Sequence, residues 1–205
     1  NRMSQENTIG QVAQFTARKL EQLKSQAGES AFRSTLAHLR RGVGYVPGEM
    51  PQLWGFFLDG MPEEWMGDRD PSRTEWAVYT ALTLFALHQQ GQDPEKEWMS
   101  QSGATLGKSA ARLIGSEEDE GRISRRFYAL ATAASMEELS HHMRGMVQLL
   151  RSKGIPLDYP ALAEDLFWYQ QPKFQAQVRL RWGQDFYRRT LTEQTAETEE
   201  DGVHE

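Results

Sequence analysis

Apolar residues recur at three- and four-residue intervals along almost the whole chain. That spacing places them on one side of an α-helix. Ile9, Val12, Ala13, Thr16, Leu20 and Leu23 predict a first amphipathic helix, ended by Gly28. Ser30 opens a second, with Phe32, Leu36 and Leu39 inward, which stops at Arg40-Arg41-Gly42. GVGYVPGEMPQLW is too rich in Gly and Pro to begin as helix. A short helix is expected from Gln52 to Leu58, and MPEEW adds one more turn. Asp70-Pro71-Ser72 reads as a helix start with Pro in the first turn, where its missing N–H costs nothing. From there to Gln90 the chain is apolar around most of the helical circumference, which predicts the central buried helix.

The second half continues in the same period. Gln92 to Gly103 is a loop, and Thr105 to Ile114 a short helix. SEEDEG is expected to break the chain before a helix over Gly121–Ala134, with Ile123, Phe127, Leu130 and Ala131 on one face. Ser135 caps a helix that runs to Ser152 and has acids in its first turn, where the helix dipole favours them. Asp158 or Tyr159 starts another, to Gln170; Pro172 breaks it, and Lys173 to Arg189 forms the last. No run of five residues alternates cleanly, so the reading is all-α: two packed helical bundles without significant β-sheet. The expected division is 1–100, 101–190 and a disordered acidic tail, 191–205.

Charge sharpens this picture. The 205 residues carry a formal net charge of −6. The last fifteen hold six carboxylates and no Lys or Arg, so the charges of residues 1–190 balance. Such a tail has too little apolar surface to fold. No run approaches the ~18 apolar residues of a membrane helix. There is no cysteine, which removes disulfides and thiolate zinc sites. A cytoplasmic protein is the expected setting.

Three catalytic patterns fail on the residues present. Gly107-Lys108-Ser109 imitates the end of a phosphate-binding loop, but Ser102 stands where the first Gly belongs and no buried strand precedes it. Glu138-Leu139-Ser140-His141 has the Glu-x-x-His spacing of di-iron helices, but no second copy exists. Gly-x-Ser-x-Gly is absent. No enzyme, metal or cofactor is expected. Basic residues remain: Lys108 and Arg112 four apart, Arg122, Arg125 and Arg126 opposite an apolar face, Arg144 on the following helix, and Arg40-Arg41. Solvated surface would explain them too, but recurring Arg pairs suit bidentate phosphate contact.

An ordered set of landmarks resembles the CasB family, the small subunit of the type I-E CRISPR surveillance complex Cascade. They are LAHLRRGVG with PGEMPQLW (36–54), WAVYTALTLFALHQQ (76–90), ATLGKSAARL (104–113), GRISRRFYALATA (121–133), ELSHHMRGMVQLLRSKGIPLDYPALAEDL (138–166) and RLRWGQDFY (179–187). The resemblance implies a non-catalytic antiviral-defence subunit of two helical bundles. It implies as partners the other Cascade subunits, a second copy, the guide RNA–target DNA hybrid and the displaced DNA strand. The matching basic positions are Arg40, Arg41, Lys108, Arg125, Arg126 and Arg144; Arg112 and Arg122 match more loosely. The acidic tail departs from the family core. The alternative reading is a helical adaptor that contacts only protein.

Overall fold

Burial organises the chain around the helix that the apolar run predicts. The computed structural model describes residues 10–201, with side chains described over 10–188. The expectation for Ile9 lies outside the described residues, as does that for 202–205; the last helix, expected to end at Arg189, continues to Asp201 through most of the stretch expected to be a disordered tail. The elements are α1 (Gln11–Ser25), α2 (Ser30–Arg41), α3 (Trp54–Phe57), α4 (Arg73–Gln89), α5 (Leu106–Ala111), α6 (Glu117–Ala131), α7 (Met136–Ser152), α8 (Tyr159–Tyr169) and α9 (Pro172–Asp201). Two 3-10 turns, Pro51–Leu53 and Glu63–Trp65, flank α3. Among the described residues the one extended pairing is an isolated parallel bridge between Ser100 and Leu157.

Fourteen of the seventeen residues of α4 are buried, as expected of a helix apolar all round. It packs against α1, α2, α7 and α8. Its start differs from the expected one. Pro71 lies outside the helix, and Ser72 is the cap, accepting from the Glu75 N–H at 3.0 Å while Glu75 accepts from the Ser72 N–H at 2.6 Å. This reciprocal pair satisfies two donors that a helix start leaves open.

One hydrophobic cluster runs from Val12 to Phe186 and spans both halves of the chain. α1 packs on α8, and α8 on α9. The loop between the halves is pinned: Gln89 accepts from the Met99 N–H at 2.9 Å and donates to the Glu97 carbonyl at 3.0 Å. His88 is buried in this core, and Asp165 is half-buried at its edge. His88 lies 2.9 Å from the Tyr159 hydroxyl, and burial lowers its pKa to about 4. Asp165 accepts from Trp182 Nε1 at 2.7 Å and pairs with Arg181 at 2.5 Å. Burial still raises its pKa above the ordinary carboxylate value.

Two breaks fall elsewhere than the sequence suggests. The acids Glu117–Glu120 form the first turn of α6 instead of interrupting the chain, with Ser116 accepting from the Asp119 N–H at 3.3 Å. Pro172 both ends α8 and begins α9, because a first helical position needs no N–H.

Candidate nucleic-acid interface

α6 and α7 pack side by side. Their inward faces are apolar: Ile123, Phe127 and Leu130 on α6, and Leu139, Met143, Met146, Val147 and Leu150 on α7 are all buried. This fixes what faces out. Arg125, Arg126, Ala129, His141, His142, Arg144, Gly145 and Gln148 line an open cavity of about 600 Å³ between the two helices. Three expected site residues from two helices therefore meet at one place. Arg125 Nε donates to the Gly121 carbonyl at 3.0 Å. Arg126 reaches across to α7, its Nη1 3.5 Å from where a Cβ on Gly145 would stand. Within the described residues no carboxylate comes within ion-pair distance of Arg125, Arg126 or Arg144. Glu138 stands at the edge of the cavity, 3.7 Å from His142, and accepts from the Ala134 N–H at 2.8 Å.

The basic surface continues along α7. His141, Arg144, Gln148 and Arg151 follow one another at three- and four-residue steps, so they share a face. Arg151 lies near Arg40 at the end of α2, and Arg40 loses proton affinity through burial first and then through the Arg151 and Arg41 charges. Arg40 lines a second cleft of about 420 Å³ with Arg33, Phe32, Gln90 and Gln92. Arg41 is exposed beside it. The α7 stripe thus connects the cavity holding Arg125, Arg126 and Arg144 to the Arg40-Arg41 pair.

Three expected residues are not brought into this arrangement. Arg122 pairs with Asp119 at 2.6 Å, which lowers the Asp119 pKa; its charge is already answered within its own helix. Lys108 on α5 and Arg112 at its C-cap are exposed, and neither lines the α6–α7 cavity. Sequence reasoning left His141, His142, Gln148 and Arg151 out of the site. The α7 register was the available signal for three of them.

The glycine-rich stretch that runs into the first turn of α5 is built for packing. Gly103 adopts φ +82° and donates to Asp158 at 2.8 Å, so a carboxylate takes the place that a phosphate would need. Ser109 donates to the Pro156 carbonyl at 2.8 Å. A Cβ on Gly107 would stand 2.3 Å from the Trp182 carbonyl oxygen, so this glycine is what lets α5 cross α9 closely. Among the described residues no group of three or more His, Asp or Glu is placed to hold a metal ion, and no helix is long and apolar enough to cross a membrane.

Comparison with known proteins agrees with this architecture. A family model described as CRISPR-associated protein Cse2 matches residues 35–187. The CRISPR-associated protein Cse2 of Thermus thermophilus is 25% identical over 170 residues, which is 83% of this chain and 88% of that one. The crystal structure of CasB from Thermobifida fusca superposes with a TM-score of 0.73 at 31% identity, covering 85% of this chain and 97% of the other. A chain from a CRISPR RNA-guided surveillance complex shares the fold, with a TM-score of 0.69 at 22% identity over 90% of this chain and 99% of that one.

Proposed function

This chain belongs to the CRISPR-associated Cse2 family, and on that premise we propose that it is a non-catalytic small subunit of an RNA-guided surveillance complex, holding nucleic-acid backbone through basic side chains. The observation that carries this reading is the cavity where Arg125, Arg126 and Arg144 converge without carboxylate partners among the described residues. Guanidinium groups in that state favour phosphate oxygens, which they meet bidentately.

In such a complex, pairing between guide and target reads the sequence. The protein need only hold the strands by their backbones. Forming the guide–target hybrid is near balance in energy, so a few phosphate contacts shift it. The α7 stripe offers a path along which a strand can run from the Arg125–Arg126 cavity to Arg40 and Arg41.

The test is charge reversal, Arg125→Glu with Arg126→Glu, in the assembled complex. Target binding in a gel-shift titration is expected to weaken at least tenfold, while the thermal melt of the isolated subunit stays unchanged because both side chains are exposed. Unaltered target affinity would overturn the reading and leave a subunit that contacts only protein.

A further inference from the structure

Among the described residues six large apolar side chains are markedly exposed, and three of them sit on α6 and α9. Tyr128 is 47% exposed, Tyr187 45% and Leu180 61%. The two tyrosines lie fifty-nine residues apart in sequence, yet their hydroxyls touch. Packing beneath them brings them together: Phe127 and Phe186, the residue before each, stack in the core at 4.5 Å with their planes 10° apart. Tyr187 is braced edge-on against Phe186, ring centroids 5.2 Å apart. Leu180 lies two turns before Tyr187 on the same side of α9. The result is a braced aromatic surface that the hydrophobic core does not use.

Its surroundings are basic. Arg125 is one turn before Tyr128 on α6, so the two share a helix face. Arg125 also lines the cavity with Arg126 and Arg144. Arg188 follows Tyr187 directly. A strand held by its phosphates at Arg125 would therefore have a ring surface beside it. Aromatic rings next to a basic groove are what sequence-tolerant binding of single strands requires, since every base offers a flat face.

We propose that Tyr128 and Tyr187 form a stacking platform for unpaired bases of a single strand whose backbone runs through the Arg125–Arg126–Arg144 cavity. This rests on the nucleic-acid reading above, and it adds that the bound segment is single-stranded and contacted through its bases. The site is indifferent to base identity. Stacking adds affinity that salt does not remove, whereas the arginine contribution falls with salt.

The experiment uses the full chain at low ionic strength and follows fluorescence anisotropy of two labelled probes. One is an oligothymidylate; the other is an abasic deoxyribose-phosphate strand of the same length. The wild-type chain is expected to bind the base-bearing strand about tenfold more tightly or better, since stacking on an aromatic ring contributes roughly that much per base. Tyr128→Ala with Tyr187→Ala removes this preference and leaves abasic binding unchanged. Tyr128→Phe with Tyr187→Phe keeps it. Arg125→Gln with Arg126→Gln weakens both probes alike.

The proposal falls if the wild-type chain does not distinguish the probes, if it binds neither, or if the preference survives in the double alanine variant. Loss of binding in the arginine variant alone would leave the nucleic-acid reading standing and remove only the platform. A double alanine variant that keeps the base preference but changes the mass of the particle in light scattering would reassign the patch to a protein contact.

Discussion

Gly107→Ala tests whether the glycine in the first turn of α5 is a packing device. An added Cβ would stand 2.3 Å from the Trp182 carbonyl oxygen, 2.7 Å from Asp185 Cβ and 2.8 Å from the Phe186 nitrogen. Two of these atoms are backbone, so no rotamer change relieves the contact and α5 must move off α9 by about an ångström. Overpacking of this kind costs ~1–3 kcal/mol, and rigid partners put the cost at the upper end. Alanine returns up to ~1 kcal/mol in helix propensity, which leaves a net loss of about 2 kcal/mol. For a chain of this size that lowers the melting temperature by roughly 4–8 °C. Gly121→Ala is the control. Nothing lies within 4 Å of its Cβ position in α6, so propensity acts alone and the melting temperature rises by roughly 2–4 °C. Scanning calorimetry on both variants compares the signs directly. A neutral or stabilising Gly107→Ala would refute the packing argument.

Two further predictions follow from charge. The buried His88 keeps its pKa at about 4, whereas the unfolded chain takes up a proton near pH 6.5, so its contribution is complete above pH 6.5 and falls by up to ~3 kcal/mol as pH drops to 4; Asp165, whose pKa burial raises, adds a slope of opposite sign to wild type and variant alike, so the difference in urea-unfolding stability between wild type and His88→Asn isolates the histidine, and equal slopes would exclude His88. The triple variant Arg125→Gln, Arg126→Gln, Arg144→Gln flattens the log–log salt dependence of single-strand binding by about 2, at ~0.7 per phosphate contact, whereas Arg122→Gln leaves it nearly unchanged because Asp119 already answers that charge; an equal effect from Arg122 would contradict the assignment of the cavity as the binding site.

Local rules made most of the fold legible in the sequence. Ser135 caps α7 by accepting from the Glu138 N–H at 3.1 Å, and Asp158 caps α8 by accepting from the Ala161 N–H at 3.0 Å; both are visible as a polar residue before an apolar period. The misread stretches each hide a competing effect. Four successive acids at Glu117–Glu120 look like solvated loop, but at a helix N-terminus the dipole and the Ser116 cap make them a favourable first turn. Pro172 is a breaker only for the helix it follows. The role of Gly107 depends on Trp182 and Asp185, seventy-odd residues away, and no local pattern holds that information. The site divides the same way. The register of His141, Arg144, Gln148 and Arg151 is readable along α7. That Arg125 and Arg126 face it, that Asp119 withdraws Arg122, and that Tyr128 meets Tyr187 are tertiary facts.

The arrangement separates stability from binding on the same helices. On α6 the positions that hold the fold are Ile123, Phe127 and Leu130, and those that hold charge are Arg125 and Arg126. Charge changes on the outer face therefore leave the core intact, which is why reversal at those positions is a clean probe. The separation also limits what the isolated chain does. Outside its tail the protein is electrically balanced, so it exerts little long-range attraction on free nucleic acid. On the proposed reading, a few phosphate contacts and two rings would give weak binding alone. Held in an assembly beside a strand already captured by its neighbours, the same contacts would act at a high effective concentration. On that reading, such a subunit binds free nucleic acid weakly and gains most of its hold where the complex has already delivered a strand.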